Sequence, residues 1–245
     1  MSFLLDVKRT MSDQLAEDLG RQIVQGKLKP GDLLPNETLL LEYYGVSRTV
    51  LREALQVLTA KGLLDSRQRK GTFVRPREFW SQLDPLLLDW HIRLSGDDPA
   101  LHQLMEVRRI VEPPAAALAT ERATSLDKQK IAAAYKRMEA AEGQVEKFIL
   151  ADLEFHTSIL EASKNQFLLP IIHAIRTTLL ASLRQTNPDA DENRSISLPL
   201  HANILHAIMS GNPAAALIAM QEHLDDTQRR HYRAIKQHIG KLSQD

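Results

Sequence analysis

From residue 99 to residue 239 the chain carries no strand pattern at all. Apolar residues recur at three- and four-residue spacing over about 99–123, 127–142, 145–163, 166–186, 197–210 and 213–239, the period of helices with one buried face. The interruptions are local: Ser163-Lys164-Asn165, the polar NPDADENRS segment, and Gly211-Asn212-Pro213. Helices joined by such short breaks bury their stripes by packing on one another, so the spacing predicts a six- or seven-helix antiparallel bundle over 99–239. Cysteine is absent from all 245 residues. That removes disulfides and thiolate ligands, and leaves histidine and carboxylate as the only strong metal donors.

The first 77 residues are punctuated differently. Leu15, Leu19 and Ile23 mark a helix from Ser12 to about Gly26, with Ser12 or Asp13 as its cap. LKPGDLLP is too short for a helix and suits a small edge strand between two prolines. A second helix over Asn36 to Tyr44 stops at Gly45. Ser47 then caps a third, whose Val50, Leu51, Ala54, Leu55 and Leu58 form one apolar stripe. LLDSRQ and TFVRP, separated by Arg-Lys-Gly, read as a hairpin with a basic tip. Three helices, a tight turn before the third and a closing hairpin predict a winged helix-turn-helix over 10–77. Residues 78–98 are then a linker with a short helix, whose Trp80 and Trp90 are expected to pack a face between the domains.

Net charge is zero, yet its distribution is uneven. Between Tyr43 and Arg77 lie Arg48, Arg52, Lys61, Arg67, Arg69, Lys70, Arg75 and Arg77 against only Glu53 and Asp65. A basic stretch alone is most often a solvated surface; the local structure gives this one a use. Arg48 and Arg52 sit one turn apart at the start of the third helix, the end that enters a major groove. Ser47 and Thr49 are short donors suited to phosphate, and Arg69 and Lys70 occupy the wing tip, where Gly71 lets backbone approach a groove.

In the bundle, the helix over 145–163 puts Phe148, Ile149, Phe155 and Ile159 on one side, with Asp152 and His156 among them. An unpaired buried carboxylate costs several kcal/mol, roughly, so Asp152 needs a compensating partner. His201 lies beside Ile204, Leu205 and Ile208, and His223 among Ala216, Met220, Leu224 and Thr227. Two donors at i and i+4 plus one from each of two other helices is the pattern by which a bundle builds a metal site. Any one of these histidines taken alone fits a hydrogen-bonded core residue equally well. His206 points off its stripe and His231 lies two turns beyond His223, so both are weaker candidates.

The run KLKPGDLLPNETLLLEYYGVSRTVLREALQVLTAKGLLDSRQRKGTFV resembles the DNA-binding domain of the GntR family of bacterial regulators. The resemblance implies principal DNA contacts from Arg48 and Arg52 and a wing glycine at Gly71; Thr38 departs from the arginine frequent there, which implies a different operator sequence. MEVRRIVEPPAAALATERAT, DLEFH, LPLHANILHAI and MQEHL resemble the FCD ligand-binding domain of the family's FadR branch. That likeness implies Asp152, His156, His201 and His223 as ligands of a divalent transition metal, zinc first, with nickel, manganese, iron or cobalt as alternatives. It also implies Arg108 as a group that helps hold an effector carboxylate; its alternative is a buried pair with Glu112 one turn on. FVRPREFWSQLD, VRRIVEP and ATERATS further resemble galactonate-responsive regulators of this branch, implying a sugar acid such as an aldonate.

The function these readings predict is a repressor, working as a homodimer on palindromic double-stranded operator DNA and released by a small organic acid. The rival class is a metal-dependent hydrolase, but Glu154 falls on the face opposite the ligands and no HExxH pairing supplies a base. A metal sensor is the other alternative. No apolar run of about 18 residues or signal peptide is evident, so the expected location is the cytoplasm and no membrane partner is expected.

Overall fold

The structure is a computed structural model that describes residues 10–91, 99–168, 171, 176, 180 and 190–242. It divides into two compact units, Met1–His91 and Ile92–Asp245.

In the first unit, α1 (Met11–Val24) begins at Thr10 rather than at Ser12 or Asp13. The Thr10 hydroxyl accepts from the Asp13 N–H and the Asp13 carboxylate accepts from the Thr10 N–H, so two otherwise orphaned donors are satisfied together. Leu15, Leu19 and Ile23 are buried with Leu51, Ala54 and Leu58 of α3 (Arg48–Ala60), and α2 (Glu37–Tyr44) precedes α3 across a three-residue turn. The hairpin is present as β1 (Leu64–Arg67) antiparallel to β2 (Gly71–Val74), in the register Leu64 to Val74 and Arg67 to Gly71. The expected edge strand shrinks to one bridge, Leu33 to Phe73, because Pro35 has no N–H to continue the pairing.

The tryptophans do something other than expected. Trp80 and Trp90 are both buried in the core of this first unit. The Trp80 indole donates to the Arg75 carbonyl at 2.9 Å. α4 (Pro85–His91) lays Trp90 on α1 so closely that a Cβ on Gly20 would stand 2.3 Å from the ring. Burying a ring of this size contributes roughly 4–6 kcal/mol, which explains why two such residues are placed in so small a core.

The second unit is all helical among the described residues: α5 (Pro99–Arg122), α6 (Ser125–Glu139), α7 (Val145–Ala162), α8 (Leu198–Met209) and α9 (Pro213–Leu242). α5 packs on α7, α8 and α9, α6 packs on α7 and α8, and α8 packs on α9. Ile131, Met138, Phe155, Ile159, Ile204, Ile208, Met220 and Leu224 form the shared core. Of the helix expected over 166–186, the 3-10 turn Gln166–Leu168 is described and most of the remainder lies outside the described residues. NPDADENRS does not end in a break: Ala190–Glu192 is already helical and continues through a π-helix, Asn193–Ser197, straight into α8. Pro199 accounts for the wider turn. It has no N–H for the Ser195 carbonyl and its ring crowds that carbonyl, so the Leu198 N–H reaches back five residues to Asn193 instead.

Candidate metal centre and nucleic-acid interface

Ser47 caps α3, its hydroxyl accepting from the Val50 N–H at 3.4 Å, and the polar face of the helix begins at once. Arg48, Thr49 and Arg52 are exposed, as is Thr38 on α2. Arg48 reaches the Glu37 carboxylate at 3.5 Å but keeps 77 % of its side-chain surface in solvent, so this pair aims the guanidinium more than it stabilises the fold. Arg69 and Lys70 occupy the hairpin tip. Gly71 has φ +94°, and a Cβ there would stand 2.8 Å from Leu33 Cδ1, so backbone conformation and space both require glycine. Arg52, Arg69, Lys70 and Gly71 line one groove of about 470 Å³ with Asn36 and Glu37, which puts the helix face and the wing tip on one side of the unit.

The four sequence-predicted ligands come together in the bundle core. Asp152, His156, His201 and His223 are all buried, the first two on α7, the third on α8 and the fourth on α9. His156 Nε2 lies 3.1 Å from His223 Nε2 and 3.2 Å from Asp152 Oδ1, and His201 Nε2 lies 3.4 Å from the same carboxylate oxygen. Donor atoms of the three imidazoles all fall within 4.8 Å of one another. Phe155 closes the site edge-on, its ring centroid 5.2 Å from that of His201 and 5.8 Å from that of His156. His206 is exposed, and the side chain of His231 is outside the described residues.

What holds each ring is as informative as where it points. The Ser197 carbonyl stands 2.8 Å from His201 Nδ1, the last residue of the π-helix orienting the first ligand of α8. Glu112 Oε2 stands 2.7 Å from His156 Nδ1. Each contact puts the ring proton on Nδ1 and turns a bare Nε2 inward, the arrangement that prepares an imidazole for a metal. His201 Nε2 is buried without a hydrogen-bond partner, and His156 Nε2 and His223 Nε2 face each other, which two lone pairs tolerate only with a positive charge between them. Ligands 2.0–2.2 Å from an ion stand roughly 3.0–3.5 Å apart, the spacing seen here. Three imidazoles and a carboxylate therefore fit a borderline divalent transition ion and exclude none of zinc, nickel, manganese, iron or cobalt.

Electrostatics point the same way. Burial opposes ionisation of Glu112, but Arg108 and His156 outweigh it and hold the carboxyl down at about 2. Burial likewise disfavours a charged His156, yet Glu112 and Asp152 raise it to about 9. Burial would raise Asp152, and His201 and His156 outweigh it to keep the group far below its ordinary value; His223 is pushed well down by burial and then by His201 and His156. Two buried carboxylates thus demand more positive charge than Arg108 alone provides, a demand a cation among the Nε2 atoms would meet.

Arg108 is in the buried pair given as its alternative role. It is 2 % exposed, its Nε donates to Glu112 Oε1 at 2.5 Å and its other arm to Oε2 at 3.4 Å. The second contact of Glu112, to His156, was not foreseen; the i,i+4 spacing with Arg108 was its only signal, and that spacing is silent about a partner on another helix.

The FCD domain profile matches residues 103–226, and that of the bacterial regulatory proteins of the gntR family matches residues 11–74. The chain is 35 % identical to the galactonate operon transcriptional repressor of Escherichia coli K12, over 84 % of this chain and 90 % of that protein. It is 33 % identical to the HTH-type transcriptional regulator LutR of Bacillus subtilis 168, over 84 % of this chain and 94 % of that one. A solved regulator described as controlling expression of the Listeria monocytogenes agr system superposes with a TM-score of 0.64 at 21 % identity, covering 91 % of this chain and 97 % of that one, and shows the shared fold. No described helix is long and apolar enough to cross a membrane. The chain belongs to the GntR family, FadR branch: a DNA-binding transcriptional regulator, not an enzyme, with a winged helix-turn-helix followed by an all-helical FCD domain.

Proposed function

We propose that this regulator is a repressor that leaves its operator when a small organic acid binds beside a metal ion held by Asp152, His156, His201 and His223. The observation that supports this most is the convergence of bare imidazole nitrogens on one buried carboxylate oxygen. The ion, zinc before nickel, manganese, iron or cobalt, supplies Lewis acidity and open coordination positions. Arg108 takes the acid's carboxylate, and Phe155 keeps the site dry. A sugar acid such as an aldonate is the effector class, on the strength of the 35 % identical relative named for the galactonate operon. On the DNA side Ser47 and Thr49 meet phosphate, Arg48 and Arg52 meet base edges and phosphate, and Arg69, Lys70 and Gly71 bring the wing to a groove. The regulator works as a homodimer in the cytoplasm on palindromic operators.

A second reading, in which the ion itself is the signal, is favoured by one contact: the Arg108 guanidinium is already paired with Glu112. A gel shift with an operator fragment separates the two. Release by aldonates from the metal-loaded protein, lost after chelation and restored by zinc, supports the acid-sensing reading. Release by the metal alone, whatever the acid, favours the sensor. An acid response that survives complete chelation sinks the role given to the ion.

A further inference from the structure

Glu112 belongs to neither the ligand set nor the DNA-facing set, yet it is the most connected buried group in the bundle. It is 1 % exposed, its two oxygens are shared between Arg108 on its own helix and His156 on α7, and the two prolines that follow it, Pro113 and Pro114, take two N–H groups out of the α5 ladder at that point. One carboxylate therefore does two jobs. Toward His156 it accepts the Nδ1 proton, which fixes the tautomer and makes Nε2 a stronger donor. Toward Arg108 it fills the planar fork that recognises a carboxylate, with no room for a second anion in the same plane.

We propose that Glu112 is a positioning residue that couples the ion to the acid: it orients His156 for the metal, and it is the internal anion that an incoming carboxylate must displace from Arg108. This rests on the metal and acid reading above and deepens it. The apo-like Arg108–Glu112 pair is then a competitor built into the site, which sets a threshold for the acid. A weak monodentate anion cannot displace a buried carboxylate from a buried guanidinium. An acid that also ligates the ion can, because its second attachment makes the exchange intramolecular. The sensor is thereby selective for acids that carry a second donor, such as a hydroxyl, close to the carboxylate.

The test uses the full chain stripped of metal, titrated with cobalt(II) and read by its visible absorption bands and by competition with a chelator. Galactonate and acetate are then titrated into the cobalt-loaded protein. In wild type, galactonate binds and acetate does not. Glu112→Gln, which keeps an acceptor for His156 but loses the charge, is expected to hold cobalt about 10–100-fold more weakly with altered bands. At saturating cobalt it is expected to bind galactonate about tenfold more tightly and to admit acetate, because Arg108 has lost its internal anion. Melting of the metal-free proteins separates folding from positioning, and Glu112→Asp, which retracts the carboxylate by one methylene, gives the same directions at smaller size if the Gln variant fails to fold. Cobalt affinity and acid selectivity equal to wild type in the folded variant, with only the melting temperature lowered, would overturn the proposal and leave the metal reading standing. A wild type that takes up no cobalt overturns both.

Discussion

Arg48, Arg52, Arg69 and Lys70 stand in solvent on a domain whose core would be whole without them, whereas Asp152, His156, His201 and His223 are part of the core that folds theirs. On the first domain the groups offered to a partner can be exchanged with little effect on folding, so such a domain can change which sequence it reads, as Thr38 illustrates. On the second, each polar ligand is buried beside Phe155, Ile159, Ile204 or Leu224, so recognition and folding are properties of the same atoms. Burial makes the four donors strong and fixed, and it makes each one hard to replace.

The sharpest way to break that contrast is Phe155→Ala. The ring is fully buried against two of the candidate ligands, and its loss should destabilise the bundle by about 3–5 kcal/mol and weaken metal uptake with it. Thermal unfolding followed by a zinc titration checks this; a variant that keeps its stability but loses the metal would show the two are separable after all. Arg52→Ala tests the opposite side. Operator affinity should fall roughly tenfold to a hundredfold, about 1.4–2.8 kcal/mol, while the melting temperature stays within a degree or so of wild type. Normal operator binding by that variant would count against the reading of α3. Asp127→Asn sharpens the comparison within the bundle, because its site is a cap rather than a ligand. Lys164 first, then Thr124, hold the Asp127 carboxyl down at about 2. A depressed value means a contribution that is whole above the ordinary aspartate range near 3.8 and fades as pH falls toward 2. The substitution should therefore lower stability by about 1 kcal/mol at pH 7 and by nothing measurable at pH 2, read from urea unfolding at the two pH values.

How much of this was legible in the sequence follows the same division. The winged domain was readable because its signals are local: a cap at Ser47, a stripe from Val50 to Leu58, a glycine at 71. The four ligands were readable as polar residues set in apolar stripes, a pattern that does not depend on knowing which helices meet. What stayed hidden depends on pairing across helices. Nothing in the spacing of Glu112 names His156 as its second partner, and nothing in Trp80 or Trp90 says which core will receive them, since an indole fits any apolar face large enough. The π-helix before His201 had one trace, Pro199, and a proline near a helix start is more often an unremarkable first-turn residue.

At the wing tip the backbone turns through the left-handed region at Arg69, φ +65°, a conformation that only glycine adopts without strain. A cation is kept there nonetheless. Selection has therefore settled for a hairpin less stable than the sequence could make it, and Arg69→Gly should raise the unfolding free energy of this domain by up to about 1 kcal/mol while lowering affinity for DNA and flattening its dependence on salt. A drift toward glycine at this position would thus mark a copy of the protein that still folds but has stopped being asked to bind.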